Sequence, residues 1–248
     1  MTWNPAPTNA DDSRGTSVLA VLWDMDGTLV DTEPYWIAAE HALVESAGGT
    51  WTQEHAHQLV GNDLLVSARY IVDHSPVQMT EVEVVHWLQA RVIADVRRAL
   101  PWRPGARELL QDLRANGIRT ALVTMSWRPL ADAVVGAMPQ GSFDVVVTGD
   151  EVDHGKPHPE PYALACTRLQ LPPWRCIAVE DSATGTRSAT AAGVPTITVP
   201  HIVPVPALAG SVQIPTLSGL HSTALAALVA GVPTAEPATA EHQASDQR

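Results

Sequence analysis

Residues 18–31 of the chain read VLAVLWDMDGTLVD, and this stretch decides the fold. Its first six residues are apolar, a short run that predicts a buried strand of a parallel sheet. The run ends abruptly at Asp24 and Asp26, and Gly27 and Thr28 follow directly. In open α/β sheets ligands bind just beyond the carboxyl ends of the strands, so we expect both aspartates at a binding crevice.

Asp24 and Asp26 also indicate what this crevice could hold. Two carboxylates this close repel each other unless one is protonated or a cation lies between them. Hard cations with oxygen ligands, such as Mg²⁺, suit that arrangement. A strand that merely ends in a polar Asp-Gly turn is the alternative reading of these residues taken alone.

The composition predicts a folded acidic protein of 248 residues, 45% hydrophobic and 17% charged, with a net charge of −12. That charge makes nucleic acid and anionic membranes poor partners. The sequence shows no signal-peptide pattern and no apolar run long enough to span a membrane, so we expect a cytoplasmic protein. Cys166 and Cys176 are not in a C-x-x-C pair and are expected to be small core residues.

Lys156 is the single lysine among the 15 basic residues, and all the others are arginine. Arginine and lysine differ in shape, hydration and donor geometry, so a lone ammonium can serve a purpose that arginine cannot. Its place in Gly155-Lys156-Pro157 argues for a specific role. Survival of one lysine by compositional drift is the alternative.

Strands and helices alternate along most of the chain. Strands are predicted at 18–23, 118–124, 143–148, 176–180 and 194–199, with a short one near Val212. Helical periodicity covers 35–47, 52–60, 63–74, 80–100, 108–115, 129–138, 159–169, 183–192 and 218–230. This rhythm predicts an α/β protein with a doubly wound parallel sheet.

The connection between the first two strands holds four more helices than a parallel crossover needs. We therefore expect residues 34–100 to form a helical cap domain, carried on an α/β core of residues 17–33 and 101–230. Disordered segments are expected at 1–16 and 231–248. A lobe that leaves the sheet at its binding edge would lie over the site and exclude water.

Four strand ends are expected to bring polar groups to this one edge of the sheet. The groups are carboxylates, one ammonium and small hydroxyls, contributed by Asp24, Asp26, Thr124, Ser126, Lys156, Glu180 and Asp181. This set fits a phosphate held against Mg²⁺, because phosphoryl transfer needs charge neutralisation and positioning more than elaborate covalent machinery.

In this order, Asp24-Met25-Asp26-Gly27-Thr28, Thr124, Lys156 in Gly-Lys-Pro and Glu180-Asp181-Ser182 resemble the four motifs of the haloacid dehalogenase superfamily. The resemblance covers about residues 18–199. The stretch Asp31-Thr32-Glu33-Pro34 is similar to the β-phosphoglucomutase-like branch, which has a helical cap. The resemblance implies a Rossmann-like core and a small phosphorylated metabolite as substrate.

The resemblance also implies a role for each matching residue. Asp24 would be the nucleophile that forms an aspartyl-phosphate, and Asp26 the general acid and then the general base. Thr124 and Lys156 would hold the transferring phosphoryl group. Mg²⁺ would be bound by Asp24, the Asp26 carbonyl and Asp181, with Glu180 acting through water. The residues expected to contact the phosphate or the substrate are Gly27, Thr28, Met125, Ser126, Trp36 and Asn62.

Departures from the family pattern separate the possible reactions. Asp26 argues against a dehalogenase, which has no leaving alkoxide to protonate. The cap contains no lysine, which excludes a phosphonatase of this family and weakens a mutase, and Trp36 stands where β-phosphoglucomutases carry a histidine. We expect a monomeric or homodimeric phosphatase of a sugar or polyol phosphate. A sugar phosphate mutase and a non-catalytic binding or regulatory protein on the same scaffold are the alternatives.

Overall fold

A computed structural model describes residues 18–59 and 63–232, and its centre is a sheet of parallel strands. The strands are β1 Ala20–Trp23, β2 Arg119–Val123, β3 Val145–Val147, β4 Cys176–Glu180, β5 Thr196–Thr198 and β6 Ser211–Gln213. Their order is β3-β2-β1-β4-β5-β6, and every neighbouring pair is parallel. The predicted α/β fold is confirmed. The strand order reverses at β1, and open sheets bind ligands at such a point.

The helices lie close to the predicted positions. They are α1 Glu33–Ser46, α2 Gln53–Leu59, α3 Leu64–His74, α4 Glu81–Arg98, α5 Ala106–Ala115, α6 Arg128–Gly136, α7 Glu160–Leu169, α8 Ala183–Ala191 and α9 Ser222–Val229. The expected disorder at 1–16 and 231–248 lies outside the described residues, apart from Gly231 and Val232. No helix in the described ranges is long and apolar enough to cross a membrane.

Some predicted ends were wrong by a few residues. Strands β3 and β5 are three residues long, shorter than the apolar runs that predicted them. Helix α5 begins at Ala106 rather than at 108, because Gly105 takes φ +82° and turns the chain directly into the helix. Helix α9 begins at Ser222 rather than at 218, after a turn that includes Gly219 at φ +76°.

The sheet is buried on both faces because successive side chains of a strand point to opposite sides. Val21 and Trp23 of β1 join the apolar cluster that includes α5, α6 and α9. Ala20 and Leu22 join the cluster formed with α7 and α8. All four side chains are 0% exposed. A fully buried aliphatic side chain stabilises a fold by about 1.5–3 kcal/mol, so this short strand is firmly fixed.

Helices α1 to α4 form one packed group within the connection between β1 and β2. Helix α4 packs against α1 and α3 and also against α6, the helix that follows β2. At this contact the His86 ring meets the Trp127 ring edge-on, with centroids 5.9 Å apart. A capping box starts α4: the Glu83 N–H donates to Thr80 Oγ1 at 3.3 Å, and the Thr80 N–H donates to Glu83 Oε2 at 2.8 Å.

The chain enters and leaves this helical group at adjacent points, which we call the paired crossing (residues 29–31 and 101–103). The Asp31 N–H donates to the Pro101 carbonyl at 2.7 Å, and the Arg103 N–H donates to the Leu29 carbonyl at 3.0 Å. Between these bonds Val30 and Trp102 form an antiparallel bridge. Val30 also forms a bridge with Asp26, so the paired crossing lies beside the loop that follows β1.

Candidate active site

Asp24 stands at the centre of the site because it follows the central strand. Its backbone N–H donates to the Val179 carbonyl at 3.0 Å, which extends the pairing with β4 by one residue. The residue is only 7% exposed. A buried carboxylate needs partners for its charge, so the groups around Asp24 decide what the site can do.

Lys156 supplies one of those partners. Its Nζ donates to Asp24 Oδ1 at 2.6 Å, to Glu180 Oε1 at 2.6 Å and to the Val123 carbonyl at 2.9 Å. Burial alone would lower the pKa of Lys156, but the two carboxylates outweigh it and raise the pKa above its usual range. The ammonium is therefore charged, and its three donors are all used.

Glu180, the last residue of β4, is fully buried beneath Asp24. Besides Lys156, the Tyr162 hydroxyl donates to its Oε1 at 2.6 Å and the Ser182 hydroxyl to its Oε2 at 3.2 Å. A Cβ on Gly185, in the first turn of α8, would lie 1.9 Å from Glu180 Oε1, so a larger residue there would displace the Glu180 carboxylate. Burial, followed by the charge of Asp24, raises the pKa of Glu180 despite the opposing effect of Lys156.

Asp181 follows Glu180 in the chain, and it lines the cavity. The Thr28 hydroxyl donates to its Oδ1 at 3.3 Å. Gly27 has φ +86°, and a Cβ there would lie 2.2 Å from Asp181 Oδ2. Burial and the nearby charges of Asp24 and Glu180 raise the pKa of Asp181 to about 8. The loop after β1 is thus shaped to admit this carboxylate.

The three carboxylates together fit a divalent cation. Asp24, Glu180 and Asp181 each offer an oxygen, and these oxygens lie within 4.8 Å of one another. Asp24 Oδ2 is buried without a hydrogen-bond partner among the described residues. An unpartnered buried oxygen within a carboxylate cluster is the kind of ligand that Mg²⁺ binds.

Asp26 occupies a different environment, because hydroxyl groups surround it. Its Oδ1 accepts from Thr32, and its Oδ2 accepts from Ser126 at 2.7 Å and from Thr124 at 3.4 Å. Burial raises the pKa of Asp26 above its usual value, and the Asp24 charge adds to this, while the three hydroxyl bonds oppose it. A carboxyl group with a raised pKa can act as a general acid near neutral pH.

A cavity of about 510 Å³ opens above these groups, bounded by the strand ends below and by α1 and α4 on one side. Most residues predicted for the site line it: Asp24, Asp26, Gly27, Trp36, Thr124, Met125, Ser126, Lys156 and Asp181. Thr28 and Glu180 are buried behind the lining, where they contact Asp181 and Lys156. Asn62 lies outside the described residues.

Met125 and Ser126 support their neighbours as well as lining the cavity. The Lys156 N–H points at Met125 Sδ, 3.2 Å away, and the Ser126 hydroxyl is used on Asp26. Their predicted contacts with phosphate remain predictions.

The sequence interpretation missed four side chains at the site. Thr32 and Tyr162 bind the carboxylates of Asp26 and Glu180, and Glu33 and Glu40 line the cavity. Thr32 and Glu33 belong to the stretch noted for its resemblance, which could have directed attention to them. Tyr162 and Glu40 carried no signal, because only the fold brings them to the site.

The carboxyl groups of Glu33 and Glu40 both have raised pKa values. Burial, together with the charges of Asp26 and Asp31, raises the pKa of Glu33 to about 7. Glu40 is 4% exposed and accepts from Trp51 Nε1 at 3.2 Å. Burial raises its pKa to about 8 against the opposing effect of that hydrogen bond.

Known proteins resemble this chain over most of its length. The family model of haloacid dehalogenase-like hydrolases matches residues 18–193. A phosphorylated carbohydrates phosphatase of Thermotoga maritima is 33% identical, and the match covers 71% of this chain and 82% of the length of that protein. Hexitol phosphatase B of Escherichia coli K12 is 30% identical, and the match covers 76% of this chain and 86% of the length of that protein. The crystal structure of CbbY from Rhodobacter sphaeroides in complex with phosphate is 28% identical with a TM-score of 0.74, covering 82% of this chain and 96% of that one.

Proposed function

This chain belongs to the haloacid dehalogenase-like hydrolase family, and we propose that it is a magnesium-dependent phosphatase of small sugar or polyol phosphates. The observation that carries the proposal is the Asp24 carboxylate at the floor of the cavity. One of its oxygens is held by Lys156, and the other is buried without a hydrogen-bond partner in the part of the chain that the structure describes. The relatives named as phosphatases of phosphorylated carbohydrates and hexitols support the class of substrate.

In the proposed reaction Asp24 attacks the phosphorus atom of the ester. The bond between phosphorus and the substrate oxygen breaks, and Asp26 donates its proton to that oxygen, which leaves as an alcohol. The phosphoryl group is then carried by Asp24 as an aspartyl-phosphate. A water molecule gives a proton to Asp26 and attacks the phosphorus, which releases inorganic phosphate and restores both aspartates. The raised pKa of Asp26 supports its role as the acid.

The cation would be held by the Asp24 and Asp181 carboxylates and the Asp26 carbonyl, with Glu180 acting through water. When bound, Mg²⁺ supplies positive charge that offsets the charge of the phosphate and of the acids around it. Lys156 would hold Asp24 in place and, with Thr124, position the phosphoryl group. The phosphate-binding roles of Gly27, Thr28, Met125 and Ser126 belong to the same proposal.

We propose further that residues 34–100 act as a cap over this site and that residues 17–33 and 101–230 form the catalytic core. The paired crossing beside β1 would let the cap rotate while the strand ends stay in place. Trp36 of α1 lines the cavity and would contact the substrate. Closure would exclude water until the aspartyl-phosphate has formed. With a net charge of −12, we expect neither nucleic acid nor anionic membrane as a partner.

The test is phosphate release from p-nitrophenyl phosphate and from a panel of sugar and polyol phosphates, with Mg²⁺ and with EDTA. We expect turnover that requires Mg²⁺ and disappears in Asp24→Asn. Absence of release from every compound by the folded protein would refute the proposal. Isomerisation of β-glucose 1-phosphate in place of hydrolysis would favour the mutase, and the lack of either reaction would favour a binding protein.

A further inference from the structure

Two histidines and a glutamate stand together at the loop that carries Lys156. His154 and His158 are exposed and lie on either side of Lys156 in the chain, and Glu160 is the first residue of α7. A nitrogen of each ring and an oxygen of the carboxylate lie within 4.8 Å of one another. We call these three residues the histidine cluster. The magnesium site proposed above uses none of them, so they form a separate group of potential ligands.

The separations between the ligand atoms suit a small divalent cation. In tetrahedral zinc sites nitrogen and oxygen ligands lie about 2.0–2.2 Å from the metal, so two ligand atoms of one site are about 3.3–3.5 Å apart. His154 Nδ1 lies 3.0 Å from Glu160 Oε2, and His158 Nδ1 lies 3.8 Å from the same oxygen. These separations lie on both sides of the required value. Because both rings are exposed to solvent, small side-chain rotations bring all three atoms to one metal.

The carboxylate of Glu160 is held in position by the backbone of the loop. Its Oε1 accepts from the Asp153 N–H at 2.9 Å, and its Oε2 accepts from the His154 N–H at 3.0 Å. A carboxylate has about four lone pairs, so these two bonds leave lone pairs for a metal. The same bonds tie the loop to the first turn of α7 and place His154 beside the carboxylate.

His158 directs an unprotonated nitrogen toward the same group. The Glu160 N–H donates to His158 Nδ1 at 3.3 Å, so the ring proton is on Nε2, and a neutral imidazole of this kind binds metals. The backbone here is fixed, because the His158 N–H donates to the Gly155 carbonyl at 3.0 Å and the Ser188 hydroxyl donates to the His158 carbonyl at 2.5 Å. A metal would take over the Nδ1 lone pair, and the Glu160 N–H at the start of α7 could then bond to water.

We propose that His154, His158 and Glu160 bind Zn²⁺, with water as the fourth ligand. Two histidines with three residues between them are a spacing found in zinc sites. The ligand types separate this site from the one at Asp24, because imidazole nitrogens suit Zn²⁺ whereas carboxylates and carbonyls suit Mg²⁺. The inference goes beyond the proposed function and does not depend on it.

The bound ion would connect the Lys156 loop to α7. The loop places Lys156 Nζ 2.6 Å from Glu180 Oε1, and α7 places the Tyr162 hydroxyl 2.6 Å from the same oxygen. A metal that joins His154 to Glu160 therefore fixes Lys156 and Tyr162 relative to each other. Its role is structural: it stabilises the folded protein, as any ligand of the native state does, and it takes no part in the reaction.

Zinc content after equilibrium dialysis tests the proposal, with the untagged full-length protein in an excess of Mg²⁺. The wild type should hold one Zn²⁺ more than the double variant His154→Gln/His158→Gln, and His154→Gln alone should weaken zinc binding by at least about tenfold. His57→Gln is the matched control, because His57 is an exposed histidine of α2, and it should bind zinc as the wild type does.

Two further measurements locate the ion and test its role. Anomalous diffraction at the zinc edge should place a Zn²⁺ between the His154, His158 and Glu160 side chains. Added Zn²⁺ should raise the Tm of the wild type and of His57→Gln, and it should raise that of the double variant less. Circular dichroism and Mg²⁺-dependent hydrolysis of p-nitrophenyl phosphate check that the double variant is folded.

Equal zinc content in the wild type and in the folded double variant would overturn the proposal. An anomalous signal confined to the carboxylates around Asp24 would overturn it as well. If the double variant does not fold, the anomalous map of the wild type still decides whether the histidine cluster holds zinc. None of these results depends on phosphate release, so this site and the proposed function can fail separately.

Discussion

Lys156 holds the Asp24 carboxylate from one side, with its Nζ 2.6 Å from Asp24 Oδ1, while the other oxygen, Oδ2, has no partner among the described residues. The two oxygens of the proposed nucleophile are therefore not equivalent. Lys156 also binds Glu180 at 2.6 Å, so one buried ammonium balances two buried acids. The fold and the chemistry depend on the same contact.

Replacement of Lys156 by methionine should damage stability and activity together. Removal of one partner from a buried ion pair typically costs about 3–5 kcal/mol, because the remaining charge stays buried and uncompensated. We expect a comparable loss in the free energy of unfolding by urea and at least a 100-fold loss of kcat. Arg107→Met, an exposed position on α5, should change stability by less than about 0.5 kcal/mol. A Lys156→Met protein as stable as the wild type would contradict the charge balance described here.

Gly27→Ala should impair the metal site, and Gly117→Ala provides its control. Both glycines have positive φ, +86° and +70°, so alanine costs each about 1–2 kcal/mol of backbone strain. A Cβ on Gly27 would also meet Asp181 Oδ2 at 2.2 Å, whereas nothing lies within 4 Å at Gly117. Melting curves should therefore shift in both variants, but the Mg²⁺ concentration for half-maximal activity should rise only in Gly27→Ala. An equal effect on the two would show that strain alone is responsible.

Asp26→Asn should slow the hydrolysis of esters with poor leaving groups more than that of esters with good ones. An alkoxide leaving from a polyol phosphate needs a proton, whereas p-nitrophenolate leaves readily without one. General acid catalysis contributes about 10²–10⁴-fold, so the first turnover of sorbitol 6-phosphate should slow by that factor and the initial burst of p-nitrophenol should slow much less. Rapid-quench measurements separate the two steps. Asp132→Asn, on the exposed side of α6, is the control and should react at the wild-type rate. Equal slowing of both substrates by Asp26→Asn would contradict the role of Asp26 as the general acid.

Glu40→Gln should make the stability of the protein less sensitive to rising pH between about pH 4.5 and pH 8. The pKa of Glu40 is about 8 in the fold against 4.5 ordinarily, so the native state holds this proton more tightly than the unfolded chain does. Between these values, rising pH favours unfolding, by at most about 1.4 kcal/mol per pH unit. Glutamine cannot ionise, and its amide oxygen can still accept from Trp51 Nε1.

Urea titrations at a series of pH values test this expectation. The gain from Glu40→Gln should be absent below about pH 4.5, grow toward pH 8 and then level off. Glu45→Gln on the exposed side of α1 should show no such trend. A constant difference between Glu40→Gln and the wild type at all pH values would mean that the carboxyl does not titrate as described.

The sequence predicted the strand ends and their residues well because buried parallel strands leave a strong signal. The segment 176–180 was predicted and is β4, and all five of its residues are buried. Asp24 and Lys156 were recognisable from their place after a strand and from composition. These features depend on residues near each other in the chain, where apolar runs and turn residues are informative.

The residues that were missed depend on contacts over long separations. Tyr162 reaches Glu180 across 18 positions, and nothing in the sequence around it distinguishes it from a core tyrosine. Glu40 lies on a helix whose outward and inward faces could not be assigned, and its burial arises from Trp51 and the cavity wall. Side-chain partners of this kind are decided by packing between elements rather than by local pattern.

The paired crossing separates the inserted helices from the residues that carry out the reaction. Because the inserted helices begin and end at hydrogen-bonded neighbours, Asp31 with Pro101 and Arg103 with Leu29, another segment with closely spaced ends could replace them without moving a strand. The aspartates and Lys156 would remain, while Trp36 and Glu40 would be exchanged together with the rest of the inserted helices. Substrate recognition could therefore change through replacement of this one segment, while the residues that carry out the reaction stay in place.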